Sequence, residues 1–396
     1  MNVGGFYGTV DLHKYLEKDI ASFLKTDDAI VYSDAEATIC SVIPSFVKRG
    51  DLLIMDDGCA DAIVLGSTLA RCKSMFFAHN DPTDLKRVLQ DIQKGDVRAK
   101  RSSDCQRRYV AIEGLFRNTG DITRLPEILK LCKEFCIRLI LDESYSIGVL
   151  GKTGRGVTEH YGIDIMEVDI ICGSLSNTLG SVGGYSTGSQ LVVDNQRINS
   201  ASYVFSASAP PFTSAASSEA LRIIQEEPQL VSELQKMSKS AYDRLLDVKN
   251  LSMLSTTRGS PMLFLTLPKE WQEQCRTKHG DTWKNHLQDV LEEISKKCVD
   301  DGVAIFATRY RHDQPREPLP SLRIVISTHL NEELIQQAVE VLQKAVQHTL
   351  SGSLSSKTME DETSLKSNST ETETPSSKDL KKRRRSTRIQ LNSTSE

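Results

Sequence analysis

Between residues 29 and 141 the chain alternates short apolar runs with amphipathic stretches of about ten residues. The runs Ala29–Tyr32, Leu52–Met55, Ser74–Phe77, Tyr109–Ile112 and Leu139–Leu141 predict strands buried on both faces. The stretches Thr38–Phe46, Ala60–Ala70, Thr83–Ile92 and Leu125–Phe135 predict the intervening helices. Ahead of them, Leu12, Leu16, Ile20 and Phe23 recur at helical spacing, so Leu12–Leu24 is expected to be helical with Asp11 as its N-cap. Further strands are expected at Val168–Cys172 and from Gly183-Gly184-Tyr185, and helices at Pro211–Ile224 and Leu230–Val248. The last of these helices reads as a connector. The order then changes to strand Met262–Thr266, helix Trp283–Lys296, strands Val303–Thr308 and Leu322–Ile326, and helix Glu332–His348, an α+β pattern. These patterns predict a large α/β domain over 1–250, with a mainly parallel sheet covered on both faces, and a smaller α+β domain over 251–350. From Ser351 to Glu396 almost nothing is apolar, and the segment is expected to be disordered.

Composition changes this picture little. At 396 residues and 39% apolar the chain can bury a large core, and its net charge of −4 argues against bulk nucleic-acid binding. Two basic segments are local: Lys94 to Arg108, with no apolar period, reads as a surface insertion, and Lys381 to Arg385 as part of a solvated or lipid-attracted tail rather than a nuclear-import signal. The nine cysteines are an odd number without zinc-type pairing, so no metal site is expected, and Cys132 and Cys136 read as two buried thiols on a helix face. No stretch approaches the roughly 18 to 20 apolar residues of a membrane helix, and the amino terminus does not read as a signal peptide.

Candidate chemistry concentrates between Leu139 and Gly184. A buried strand there ends in Asp142 and Glu143, placing carboxylates at the edge where open α/β sheets bind ligands. A loop punctuated by Gly148, Gly151, Gly154 and Gly156 follows, then a second strand and the turn Ser174-Leu175-Ser176-Asn177-Thr178-Leu179-Gly180. This succession resembles the α-oxoamine synthase family, and the resemblance runs from about Gly5 to His348. It implies an aspartate-aminotransferase-like (type I) fold built around pyridoxal 5'-phosphate (PLP), and the decarboxylating condensation of an amino acid with an acyl-CoA. In that family the turn carries the lysine that forms the Schiff base with PLP. Here the position is Asn177, whose amide cannot make an imine, so no catalytic residue is expected in this chain.

The resemblance locates further departures. Ala60 stands where the family stacks a histidine on the pyridine ring, Glu36 lies in the segment that approaches the phosphate, and Tyr145 replaces a histidine of the Asp-Glu motif. Asp142, at the pyridinium-pairing position, and Ser174, at a phosphate-hydroxyl position, remain as vestiges together with Tyr145. The phrases Gly5-Phe6-Tyr7-Gly8-Thr9, Gly154-Arg155-Gly156-Val157-Thr158-Glu159-His160-Tyr161-Gly162 and Phe205-Ser206-Ala207-Ser208-Ala209-Pro210-Pro211 are similar to one subfamily, the non-catalytic long-chain-base subunits of serine palmitoyltransferase. That implies a heterodimer with a lysine-bearing second subunit, L-serine and palmitoyl-CoA as substrates, PLP held by the partner, no nucleic acid, and work at the cytosolic face of the endoplasmic reticulum membrane. It also suggests an amino-terminally truncated or alternatively started chain, with the anchor in the missing part.

By the same resemblance, Ser206 and the Ala207 amide are candidates to touch the partner's PLP phosphate in trans; the alternative is a Pro-Pro helix start with Ser206 as a local cap. Arg323 is a vestigial clamp for the substrate carboxylate or else half of a structural salt bridge. His13 is expected near a dimer face or as a structural group, and Asp81 with Pro82 reads as an N-cap. Glu113 to Gly120 is expected to form a wall at the cofactor edge. Two other functions remain open: a homodimeric synthase using another lysine such as Lys152, and a regulatory interaction module.

Overall fold

Strand residues such as Ile30, Leu53, Ile54, Ala111 and Leu141 are wholly buried because helices cover both faces of the sheet they form. The computed structural model describes residues 8–100, 106–310 and 318–364. Its large sheet contains β1 (Asp28–Tyr32), β2 (Leu52–Asp56), β3 (Lys73–Phe77), β4 (Arg108–Glu113), β5 (Arg138–Asp142), β6 (Ile170–Ser174) and β7 (Gly184–Gly188). The order is β1-β7-β6-β5-β4-β2-β3, and only β7 runs against its neighbours. The register sets Glu113 beside Asp142, so β4 and β5 deliver two carboxylates to the same edge. Helices Ala35–Phe46 and Asp61–Ala70 pack on this sheet through Ile39, Val42, Ile43 and Ile63 against Leu53 and Met55.

A smaller antiparallel sheet takes the order β10-β11-β9-β8, from β8 (Ser252–Met253), β9 (Met262–Thr266), β10 (Phe306–Ala307) and β11 (Leu322–Val325). Helix Trp283–Asp300 buries Leu287, Leu291, Ile294 and Cys298. The chain divides into compact units Met1–Thr349 and Leu350–Glu396, and both sheets lie in the first. Among the described residues no helix is long and apolar enough to cross a membrane.

Several expectations need correction. The first helix is Asp11–Leu24, and its N-cap is Val10 rather than Asp11: the Val10 N–H donates to His13 Nδ1 (3.0 Å), while Asp11 sits in the first turn, where a negative charge suits the helix dipole. Helix Pro82–Ala99 takes in the first part of the supposed insertion, because Arg98 and the other polar residues there occupy its solvated face; residues 101–105 lie outside the described ones. Cys136 follows helix Leu125–Glu134 and is exposed, so of these two thiols Cys132 alone is buried. The strand expected at Val303–Thr308 shrinks to Phe306–Ala307. Helices Gln190–Asn199 and Lys269–His279, which the apolar pattern does not announce, bury only Val193 and Gln196, and Gln272 and Cys275. The last helix, Glu332–Ser364, continues past His348 into the stretch expected to be disordered, and residues 365–396, with the basic run, lie outside the described ones.

Candidate active-site cleft

The ends of β4, β5 and β6 and the start of helix Ala35–Phe46 enclose a cleft of about 220 Å³. Glu36, Ala60, Glu113, Arg117, Asp142, Tyr145, Ser174 and Asn177 all reach it, so residues far apart in the chain meet at the sheet edge the sequence pointed to. Ser206, Ala207 and Arg323 are not part of its lining.

Each polar group in the cleft is held by its own element. Asp142 closes β5 and accepts the Ser144 N–H (2.9 Å). Burial raises its pKa, while that amide and the Arg117 guanidinium pull the other way. Glu113 is 2% exposed and accepts the N–H groups of Ala60 (2.5 Å) and Arg117 (2.9 Å). Burial, and then the Asp142 charge, pushes its carboxyl up to about 8 against those amides. Behind the cleft, Glu143 accepts from the Ser146 hydroxyl and the Val157 N–H (3.1 Å), and burial pushes it up to about 7. Gly156 lies over it at φ +90, and a Cβ there would come within 2.6 Å of the Glu143 carboxylate, so the motif glycine is required by this close approach.

Asn177 is anchored. Its Nδ2 donates to the Ser144 carbonyl (2.8 Å), and the next residue, Thr178, donates its hydroxyl to the Ile147 carbonyl (2.7 Å). These two side chains clasp the turn after β6 to the loop after β5. Ser174 shares a hydrogen bond with the Ser176 hydroxyl (2.6 Å) and accepts the Ser176 N–H (3.0 Å), so its oxygen is used within the turn.

Tyr145 and Asn177 also border a second cavity, of about 460 Å³, which Arg323 lines from β11. Burial raises the Tyr145 phenol, and the Arg117 and Arg323 charges oppose that rise. Arg323 thus faces the cavity that Tyr145 and Asn177 border.

Ser206 and Ala207 lie in the loop between helices Ala201–Val204 and Pro211–Glu226. The Ser206 hydroxyl is 3.4 Å from that of Ser33, and it does not cap the following helix, whose N-cap is Pro210. His13 is buried and pins this loop: its Nε2 donates to the Ala209 carbonyl (2.8 Å) while Nδ1 accepts from Val10. The Asp81 cap forms as expected, accepting the Thr83 N–H (2.8 Å). The sequence did not reveal that the adjacent His79 would bridge Asp56 (2.7 Å) and Asp121 (3.4 Å); burial alone would lower its pKa, but these carboxylates lift it to about 10.

The sequence matches the aminotransferase class I and II family over residues 3–342. Among curated proteins it is 40% identical over 355 residues to serine palmitoyltransferase 1 of Dictyostelium discoideum, covering 87% of this chain and 71% of that one. It is 38% identical over 348 residues to long chain base biosynthesis protein 1b of Oryza sativa subsp. japonica, covering 87% and 69%. The chain belongs to the class I and II aminotransferases, on their serine palmitoyltransferase 1 branch. A solved serine palmitoyltransferase from S. paucimobilis, with a bound PLP–myriocin aldimine, matches the fold with TM-score 0.75 at 22% identity, over 88% of this chain and 79% of that one. The aminotransferase-like fold expected from the sequence is therefore the fold observed, and the family's acyltransferases are PLP-dependent.

The lining of this chain's own cleft does not fit a lysine-anchored PLP. No lysine lines the cleft or the neighbouring cavity among the described residues, and Lys152 is exposed and outside both. At the helix start that could receive a phosphate, Asp34 already takes the Ala37 N–H (2.7 Å), and Glu36 faces the space. Ala60 offers no ring to stack on.

The buried carboxyls have a consequence for stability. Glu113 and Glu143 have raised folded-state values, so between about pH 4.5 and about pH 8 these two groups together hold more protons in the folded chain than in the unfolded one. Their contribution is complete at the acid end of that window and is lost as pH rises through it, at up to about 1.4 kcal/mol per pH unit for each group. Glu113→Gln is expected to flatten the fall in thermal-unfolding midpoint across this window. A slope unchanged by the substitution would place the titration elsewhere.

Proposed function

We propose that the chain is the non-catalytic subunit of a serine C-palmitoyltransferase. That enzyme condenses L-serine with palmitoyl-CoA to 3-ketosphinganine with loss of CO2 and CoA, the entry step of sphingolipid synthesis. The observation that carries the reading is Asn177, held on the Ser144 carbonyl in a cleft whose described lining contains no lysine. In this reading a partner subunit brings the lysine and holds PLP, which supplies an electron sink for the carbanion next to the serine carboxylate. This chain contributes the interface. Its Ser206–Ala209 loop, fixed by His13, presents the Ser206 hydroxyl and Ala207 to the partner's phosphate, and the large, partly apolar cavity beside Arg323 borders the acyl-CoA path. Phe205 (82% exposed) and Phe212 (73% exposed) flank that loop, as residues awaiting a protein surface would. In this reading the complex works at the cytosolic face of the endoplasmic reticulum membrane.

The test is copurification. Tagged full-length chain is expected to recover a lysine-bearing synthase subunit at equal stoichiometry by mass spectrometry. Recovery of other proteins with no such subunit would overturn the reading and favour a regulatory module.

A further inference from the structure

In the small-sheet region, remote in sequence from the cleft residues, three metal-ligand side chains converge. Cys275 and His279 lie one turn apart on helix Lys269–His279, and the 3-10 turn Gly280–Thr282 reverses the chain, bringing His286 of helix Trp283–Asp300 back beside them. Their ligand atoms all lie within 4.8 Å of one another. Cys275 is buried and His279 and His286 are half-buried, so the group is shielded but open to an entering ion.

We propose that Cys275, His279 and His286 form a binding site for a divalent cation of Zn2+ type, independent of the PLP chemistry. The donor set decides the metal class. One thiolate and two imidazoles suit a borderline-soft ion such as Zn2+ and not Mg2+ or Ca2+, which take oxygen ligands. Three protein ligands leave the fourth tetrahedral position to water. Zinc–sulfur bonds of about 2.3 Å and zinc–nitrogen bonds of about 2.0 Å require donors roughly 3.5 Å apart, so the side chains must close by about 1 Å.

The present contacts show what must change. The two imidazoles stack at 4.3 Å between centroids, Trp271 stacks on His286 at 5.9 Å, and the Cys275 thiol donates to the Trp283 carbonyl at 3.6 Å. On binding, the Cys275 S–H bond breaks, its proton leaves to solvent, and a sulfur–metal bond forms; the metal keeps its oxidation state. The imidazoles rotate out of their stack to direct one nitrogen each at the ion. The site would tie the ends of the two helices together, and a ligand that binds only the folded state raises its stability.

The spacing Cys275-x3-His279-x6-His286 was legible as residues but not as a site, because only the intervening reversal brings His286 back to the first helix. Cobalt substitution of the full chain tests the proposal. One equivalent of Co2+ is expected to give the d–d spectrum of a tetrahedral ion with a sulfur-to-cobalt charge-transfer band, both abolished by Zn2+. Cys275→Ser is expected to remove the charge-transfer band, and His286→Gln to weaken Zn2+ affinity roughly tenfold or more against a chromophoric chelator. If either variant does not fold, His279→Gln, at the other half-buried imidazole, serves in its place, with the same tenfold loss of Zn2+ affinity expected. Absence of a charge-transfer band in the wild-type chain overturns the site, as does a Zn2+ affinity unchanged by these substitutions, which would mean other thiols or adventitious binding.

Discussion

Gly120→Ala is expected to cost on the order of 3–5 kcal/mol and to leave little folded protein at 37 °C. Gly120 has φ +72, and a Cβ built on it would fall 2.1 Å from the Met262 carbonyl oxygen. That obstacle is backbone, at the start of β9, so no rotamer change relieves it. Ser255 holds the same junction, donating its hydroxyl to the Thr119 carbonyl (2.8 Å) and accepting the Phe264 N–H (3.0 Å). The turn after β4 is thus pressed against the small sheet. Yield of soluble protein and a urea-unfolding midpoint check the prediction, and a variant within about 1 kcal/mol of wild type would show that the two backbones can separate at no great cost.

Ser206→Glu is expected to weaken PLP retention by the assembled enzyme about tenfold or more, whereas Ser206→Ala costs only a few-fold. If the Ser206 hydroxyl faces the partner's phosphate, a carboxylate there meets a dianion, and a penalty of about 1.4 kcal/mol already corresponds to a factor of ten. Ser206 does not cap the following helix, so the substitution removes no cap from it. The measurement is PLP dissociation from the complex by gel filtration and absorbance, with the melting midpoint of the isolated chain as the folding control. Equal retention in the glutamate variant would remove Ser206 from the interface chemistry.

What was legible in the sequence follows from where packing leaves a pattern. The buried strands announce themselves, as at β5, because both faces are apolar, and Met262–Thr266 was placed residue for residue. Helices Gln190–Asn199 and Lys269–His279 were missed because each buries so few residues that no apolar stripe forms. In the cleft, the family resemblance singled out Asn177, Asp142, Tyr145 and Ser174, and the fold brings these four to one cavity. The partner of Asn177 was not readable: it is a backbone carbonyl, which carries no residue signature. Nor was the state of Glu113, whose raised pKa depends on burial created by distant elements. For His13 the sequence offered a dimer-face or a structural role but not its partner, since its acceptor at Ala209 lies on a distant loop.

The most direct test of the central claim locates the cofactor's covalent partner. Coexpressed complex is reduced with borohydride and digested, and the phosphopyridoxyl group is mapped by mass spectrometry. The account predicts the label on a lysine of the partner subunit and none on this chain, whether in the complex or purified alone. A phosphopyridoxyl group on any lysine of this chain would contradict it.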